Sequence, residues 1–472
     1  MARQTMVGES GLRFGVASIA LATGWTGAAS AAEDTTPWRL EQALAAPEWL
    51  SIGGSYRARY ETLSHPYRAN ASGSDEIFVS HLLLSARIAT DTFYAQLELE
   101  DSRQRLADSR SAIGTDSVNT LEPLQALVGM RFNDAFTPGG RLDVSAGRMT
   151  IDPGGRRLVS RNNFRNTTNS YTGVHALWKG AVGQELRAFY VLPVQRRPAD
   201  LQSLLDNDHE LDRESSDVSL WGVFGAVPET VGHATAEAYW FGLRSRDQPG
   251  IAAADRDIYT PGFRLIRRPA AQSWDFETEA AYQFGTSRLT TAAADRNDLQ
   301  HRAGFFHGEI GYTWRARMSP RLELSYDYAS GDEDPTDNEN NRFDTLYGSR
   351  RFDFGHTGIY GALARSNINS PGLRVEAKPL PKVAGMFGYR AVWLASDRDQ
   401  YTTARLQDPS GDSGSFVGHQ LEWLLQYNAR PGNLVLEVGG AHLAHGHFLE
   451  HAPNAPSEGD STYFYASAMT TF

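Results

Sequence analysis

Five arginines crowd one short stretch of the chain: Arg148, Arg156, Arg157, Arg161 and Arg165. A guanidinium is planar, keeps its charge at any physiological pH and offers paired N–H donors to a carboxylate or phosphate. Two readings follow. Either the stretch folds into a water-filled lumen and attracts carboxylates of a passing anion, or it lies on an external loop and pairs with neighbouring acids or lipid phosphates. Other clusters are weaker. The acidic run at 332–339 offers hard oxygens for Ca²⁺ but lacks the glycine of an EF-hand loop, and reads as a solvated loop. His442, His445 and His447 sit at a strand end, where alternation sends the first two to opposite faces, so no metal site is expected. No HExxH, GxSxG or P-loop pattern occurs. Neither catalysis nor a cofactor is expected.

The elements that must position these arginines are strands. Ile52, Gly54, Tyr56, Ala58 and Tyr60 alternate with Ser51, Ser55, Arg57, Arg59 and Glu61. Phe93, Ala95, Leu97 and Leu99 oppose Tyr94, Gln96, Glu98 and Glu100; Leu322, Leu324, Tyr326 and Tyr328 oppose Glu323, Ser325 and Asp327. Val417, Leu421, Trp423, Leu425 and Tyr427 oppose Gln420, Glu422 and Gln426. Each such strand has one apolar and one charged face and the length needed to cross a bilayer at a tilt. The run at 462–472 repeats the pattern and ends on Phe472. A barrel that pairs its first strand with its last leaves no edge in lipid.

Connections fall into two length classes. Tight joins are expected at 89–91, 180–183, 228–232, 269–272, 316–319, 380–383 and 431–432. Long polar stretches alternate with them at 61–76, 102–123, 150–171, 195–216, 245–256, 285–300, 331–370, 397–416 and 446–461. The expected fold is therefore all-β: a transmembrane antiparallel β-barrel of about 18 strands, with short periplasmic turns and long extracellular loops. Residues 1–31 read as a signal peptide, with Arg3 and Arg13, an uncharged stretch at 14–25, and Ala29-Ser30-Ala31 before the cleavage point. Residues 32–472 read as one outer-membrane barrel domain. Formal charge is −11, or −12 once Arg3, Arg13 and Glu9 leave with the leader, so nucleic acid is not an expected partner. Cysteine is absent, which excludes disulfides and thiolate metal sites.

Strand phase turns Arg57, Arg59, Arg87, Arg187, Arg264 and Arg374 into the lumen. It turns Glu98, Glu100, Asp275, Glu277, Glu279, Glu323, Asp327, Glu422 and Glu437 the same way, so the wall is mixed in sign and any anion preference must come from a local constriction.

Three stretches resemble the alginate-export family of outer-membrane porins. Residues 147–174, GRMTIDPGGRRLVSRNNFRNTTNSYTGV, are similar to that family's strand-loop-strand signature. Ser330-Gly331-Asp332 and Phe343-Asp344-x-Leu346-Tyr347 match later landmarks. So do Trp393-Leu394-Ala395-Ser396 with Asp399 and Tyr401, Val417-Gly418-His419-Gln420-Leu421-Glu422, and Gly440-Ala441-His442 with Gly446 and Phe448. The chain departs from the family pattern at Met149, Thr172 and Gln420. The resemblance implies passive, anion-selective export of an alginate-like polysaccharide. An anion-preferring uptake porin for small nutrients or oligosaccharides is the alternative, and an outer-membrane enzyme a more distant one. Expected partners are an anionic polysaccharide or solute, outer-membrane lipid and lipopolysaccharide, and periplasmic secretion components around a monomeric barrel.

Overall fold

The computed structural model of the chain describes residues 36–248, 253–292 and 294–472. The expected leader, residues 1–31, lies outside them. Eighteen long antiparallel strands follow one another in chain order around a closed barrel, and a two-residue strand, Glu339–Asn340, adds a short parallel pairing inside a loop. The first strand, Leu50–Ser64, pairs along ten residues with the last, Ser461–Thr471. Phe472 completes the seam: its N–H donates to the Gly54 carbonyl at 3.0 Å, and the Gly54 N–H donates back at 2.9 Å. Closure satisfies backbone groups that hydrocarbon cannot.

Alternation sets the faces. Tyr56, Leu97, Leu324 and Tyr326 are exposed on the outside, while Arg57, Arg59, Glu98, Glu323 and Asp327 are buried within. The pattern that groups Val417 with Leu421 fails at one point. Gly418, at φ +148°, faces Val392 while Phe416 faces Trp393, so Val417 is the extra residue of a bulge and is buried. One inserted residue inverts the parity of what precedes it.

Short and long connections are sorted between the two rims as expected. A further tight turn, residues 134–140, joins Asn119–Asn133 to Arg141–Met149. The loop expected at 102–123 ends earlier, because Asn119–Asn133 includes Pro123, accommodated where its pairing with Phe93–Arg105 shifts register. The core lies in the lumen. The connections at 150–170 and 330–367 fold inward and pack Leu158, Val159, Phe164, Phe354, Ile359 and Tyr360 into one buried cluster with Tyr463 and Tyr465 of the wall.

A side chain at Gly54 would meet the Leu83 carbonyl and lie 2.8 Å from the Phe472 ring. Gly54→Val is expected to cost about 1–3 kcal/mol. The thermal transition of the folded barrel, followed by its gel mobility, should fall accordingly; an unchanged transition would show that this contact does not hold the seam.

Candidate functional site

The two inward loops meet across the lumen and bring most of the arginine stretch with them. Arg57 and Arg59, on the first strand, grip the loop at 150–170 by its backbone. Arg57 donates to the carbonyls of Asn163 at 2.9 Å and Arg165 at 2.7 Å, and Arg59 to that of Phe164 at 2.8 Å. Arg59 also binds Glu61 at 2.7 Å. Arg161 forms a two-bond fork with Glu98, at 2.8 and 2.9 Å. Arg157 reaches Glu277, Glu279 and Asp353. Arg148, at the end of its strand, binds Glu122 and Glu214. Arg156 lies over the Phe352 ring at 4.5 Å, and Arg165 approaches Asp116 only to 4.0 Å.

The remaining wall arginines are spread along the barrel. Arg264 holds Glu237 and Glu277 at 3.0 and 2.8 Å, and Arg374 stands 3.4 Å from Glu323 and 3.6 Å from Glu422. Arg87, over the Tyr94 ring, and Arg187, bound to Glu185, sit toward the short-turn rim, away from the loop cluster.

These contacts separate two spaces of different charge. On the short-turn side of the loops is a cavity of about 190 Å³, walled by eight arginines and eight carboxylates, Arg156, Arg157, Arg264 and Arg374 among them. Toward the long-loop rim a cavity of about 930 Å³ is lined by Arg68, Arg110, Arg256, Arg288, Arg342, Arg350 and Arg405 against only Asp75 and Asp344. Arg288 and Arg342 are paired from behind, by Asp247, Asp255 and Asp298 and by Asp399. Arg68, Arg350 and Arg405 have no carboxylate within ion-pair distance among the described residues. Arg68 instead donates to the Ile359 and Tyr360 carbonyls at 2.7 and 2.8 Å. Burial and then the neighbouring Arg165 lower Arg350 to about 10, and the same two causes lower Arg196; Arg350 remains charged at neutral pH.

Arg68, Arg350, Asp353 and Arg365 belong to this site and were not among the sequence candidates. A signal existed. The connection at 330–367 carries Phe343, Phe352, Phe354, Ile359, Tyr360 and Leu363, too much apolar surface for a solvated loop, so its charged residues travel inward with them. The acidic residues at its start do something simpler: Asp332 accepts the Asn341 N–H, and Asp334 accepts from Thr336.

A third connection, residues 194–217, straps back over the wall. Asn207 exchanges two hydrogen bonds with the Gln104 backbone, at 2.7 and 3.0 Å. Nearby, Asp212 accepts from Asn119 at 2.9 Å and from the Arg197 N–H at 2.8 Å, and its own N–H donates to Glu122 at 3.2 Å. Glu122 and Glu214 thus share the single Arg148 guanidinium, while Asp212, whose own N–H is bound to Glu122, has its carboxylate on Asn119 and the Arg197 N–H. Burial and then Glu122 push the Asp212 carboxyl up to about 7. A docked value above the unfolded one means that the stabilisation is complete below the unfolded value and is lost as pH rises through about 7. Amide protection over 194–217, corrected for the intrinsic base-catalysed rise in exchange, should therefore fall between about pH 5.5 and about pH 8.5, and Asp212→Asn should flatten the change. Equal protection at both pH values in the wild type would exclude this.

The fold is that of known porins. The chain superposes on OccK9 (OpdG) of Pseudomonas aeruginosa with a TM-score of 0.56 at 12% identity, covering 90% of this chain and 98% of that one. It superposes on OccD3 (OpdP) of the same organism with a TM-score of 0.55 at 12% identity, covering 90% and 91%. A BenF-like porin from Pseudomonas fluorescens Pf-5 gives 0.54 at 12% identity, covering 90% and 99%. No curated protein matches the sequence. Such identities carry the fold alone. The family model for alginate export, however, matches residues 48–461, and with the closed eighteen-stranded barrel this makes the chain a member of the alginate-export family, an outer-membrane channel.

Proposed function

We propose that this channel passes an anionic polysaccharide, alginate or a relative, outward through the outer membrane, passively and with a preference for anions. Family membership supports the cargo and the direction. The outer cavity supports the physics, and one observation carries it: seven arginines face two aspartates there, and Arg68 and Arg350 lack carboxylate partners among the described residues. An unneutralised guanidinium in a confined, partly desolvated space acts on a passing carboxylate with about 1 kcal/mol or more, against almost nothing on an open surface. The paired arginines of the loop at 150–170 then serve to hold the constriction, and the unpaired ones beyond it to gather anions. Outer-membrane lipid and lipopolysaccharide surround the barrel, which works as a single unit.

A second reading, uptake of small anions or short oligosaccharides, is favoured by the modest inner cavity of about 190 Å³. Oligouronates of increasing length separate the two. An exporter of polymer passes or is occupied by long chains, whereas an uptake porin loses both beyond a few sugar units.

In planar bilayers under a salt gradient, the wild-type reversal potential should favour anions. Joint replacement Arg68→Ala and Arg350→Ala should lower the anion/cation permeability ratio by about five- to tenfold, more at low salt, where the Debye length spans the lumen. Added polyuronate should reduce the small-ion current of the wild type and reduce it less in the double variant. A reversal potential unmoved by the double replacement would leave the anion preference without its proposed source.

A further inference from the structure

We infer that Asp353 is a positioning residue for selectivity: it clasps the two lumen loops together and keeps the inner half of the lumen charge-balanced, confining the anion preference to the outer cavity. The inference rests on the anion-channel reading above.

Asp353 sits in the short helix Arg351–Phe354 and is 4% exposed. Its two oxygens take both forks of Arg157, Nη2 at 2.8 Å and Nε at 3.1 Å, and also Nη2 of Arg365. Arg365 then turns its other nitrogen to the Arg157 carbonyl at 3.0 Å and the Ser349 carbonyl at 2.9 Å. One carboxylate therefore joins the middle and the end of the loop at 330–367 to the loop at 150–170. Beside it the backbones pair directly, the Tyr347 N–H donating to the Leu158 carbonyl at 2.9 Å and the Ser349 N–H to the Arg156 carbonyl at 2.8 Å. The last nitrogen of Arg157 is taken by Glu277 and Glu279 on the wall strand Ser273–Ser287.

The position of this clasp gives it a role beyond support. Arg157 and Asp353 both face the inner cavity, where positive and negative side chains are equal in number. Burial by itself would raise the Asp353 carboxyl, but Arg157 and Arg365 hold it well below the ordinary carboxylate range, so its charge is present at any working pH. Removing that one charge tips the inner cavity positive. Removing Arg157 tips it negative. A purely mechanical clasp has no such sign, since loss of either partner would only loosen the same contact.

The test uses the full-length protein in planar bilayers, with the wild type, Asp353→Asn, Arg157→Gln and Asp353→Glu compared under one salt gradient. Asp353→Asn should raise the anion/cation permeability ratio about two- to fivefold, Arg157→Gln should lower it by a similar factor, and Asp353→Glu should return it close to the wild type. Shifts of the same direction in Asp353→Asn and Arg157→Gln, or no shift in either, would overturn the inference. Should Asp353→Asn not assemble, Arg157→Gln against Arg157→Lys asks the same question: the ratio falls with Gln and holds with Lys, and equal shifts in both count against the role. A wild-type ratio at or below unity counts against the anion-channel reading instead, and the opposition in sign between the variants still decides this inference.

Discussion

Everything in this molecule follows from the pairing of its first strand with its last. Hydrocarbon offers no partner to a backbone amide, so a sheet in the membrane must close, and here it closes through Leu50–Ser64, Ser461–Thr471 and the exchange between Gly54 and Phe472. Closure by eighteen strands encloses a lumen too wide for wall side chains to fill. The chain fills it with its own connections. Residues 150–170 and 330–367 lose the solvent that an external loop would keep, and each polar group they carry inward needs a partner in the wall or in the other loop.

That requirement explains the density of ion pairs inside. Arg157, Arg264, Arg321 and Arg374 are interleaved with Glu277, Glu279, Glu309 and Glu323. Replacing such a network by apolar residues is often neutral or favourable for stability, whereas removing one partner leaves a buried charge alone. Its value here is geometric: the pairs dictate where each loop rests and therefore where the lumen is narrow. The same logic distinguishes arginines by their partners. Arg161, forked on Glu98, positions a loop. Arg350, with no carboxylate at hand among the described residues, adds to the field of the outer cavity.

Much of the barrel was legible in the sequence because a strand facing lipid on one side and water on the other writes its pattern into alternate residues. The inward phase of Arg57, Arg59, Glu98, Glu323 and Asp327 followed directly from that pattern. Local rules failed where a single residue changed the count, as at Gly418, or where a strand tolerated a proline, as at Pro123. The site was less legible. A run of arginines shows that charge is present, but whether each is spent on a carboxylate depends on residues far away in the chain. Glu98 meets Arg161, and Asp353 meets Arg157, through the closed barrel and not through sequence proximity. Alternation also says nothing about loops, so the inward course of 330–367 could be read only from its surplus of aromatic and aliphatic residues.

The overall charge of −11, taken alone, points to a channel for cations, and the mixed wall to a channel without preference. Neither quantity governs a permeating ion. Screening limits the reach of an exposed charge to about 8–10 Å at ordinary ionic strength, so carboxylates on distant loops and on the outer faces of strands contribute little to the field inside. What counts is the local balance along the path. Where Arg157 and Asp353 stand, acids and bases cancel. A few residues outward, guanidiniums predominate, with several of their counter-charges set behind them, away from the cavity. On the reading we propose, an anion entering that region would exchange water for N–H donors, while a cation would meet like charge without compensation. A protein negative as a whole would then favour anions, because a lumen divided by its own loops makes selectivity a property of one short segment.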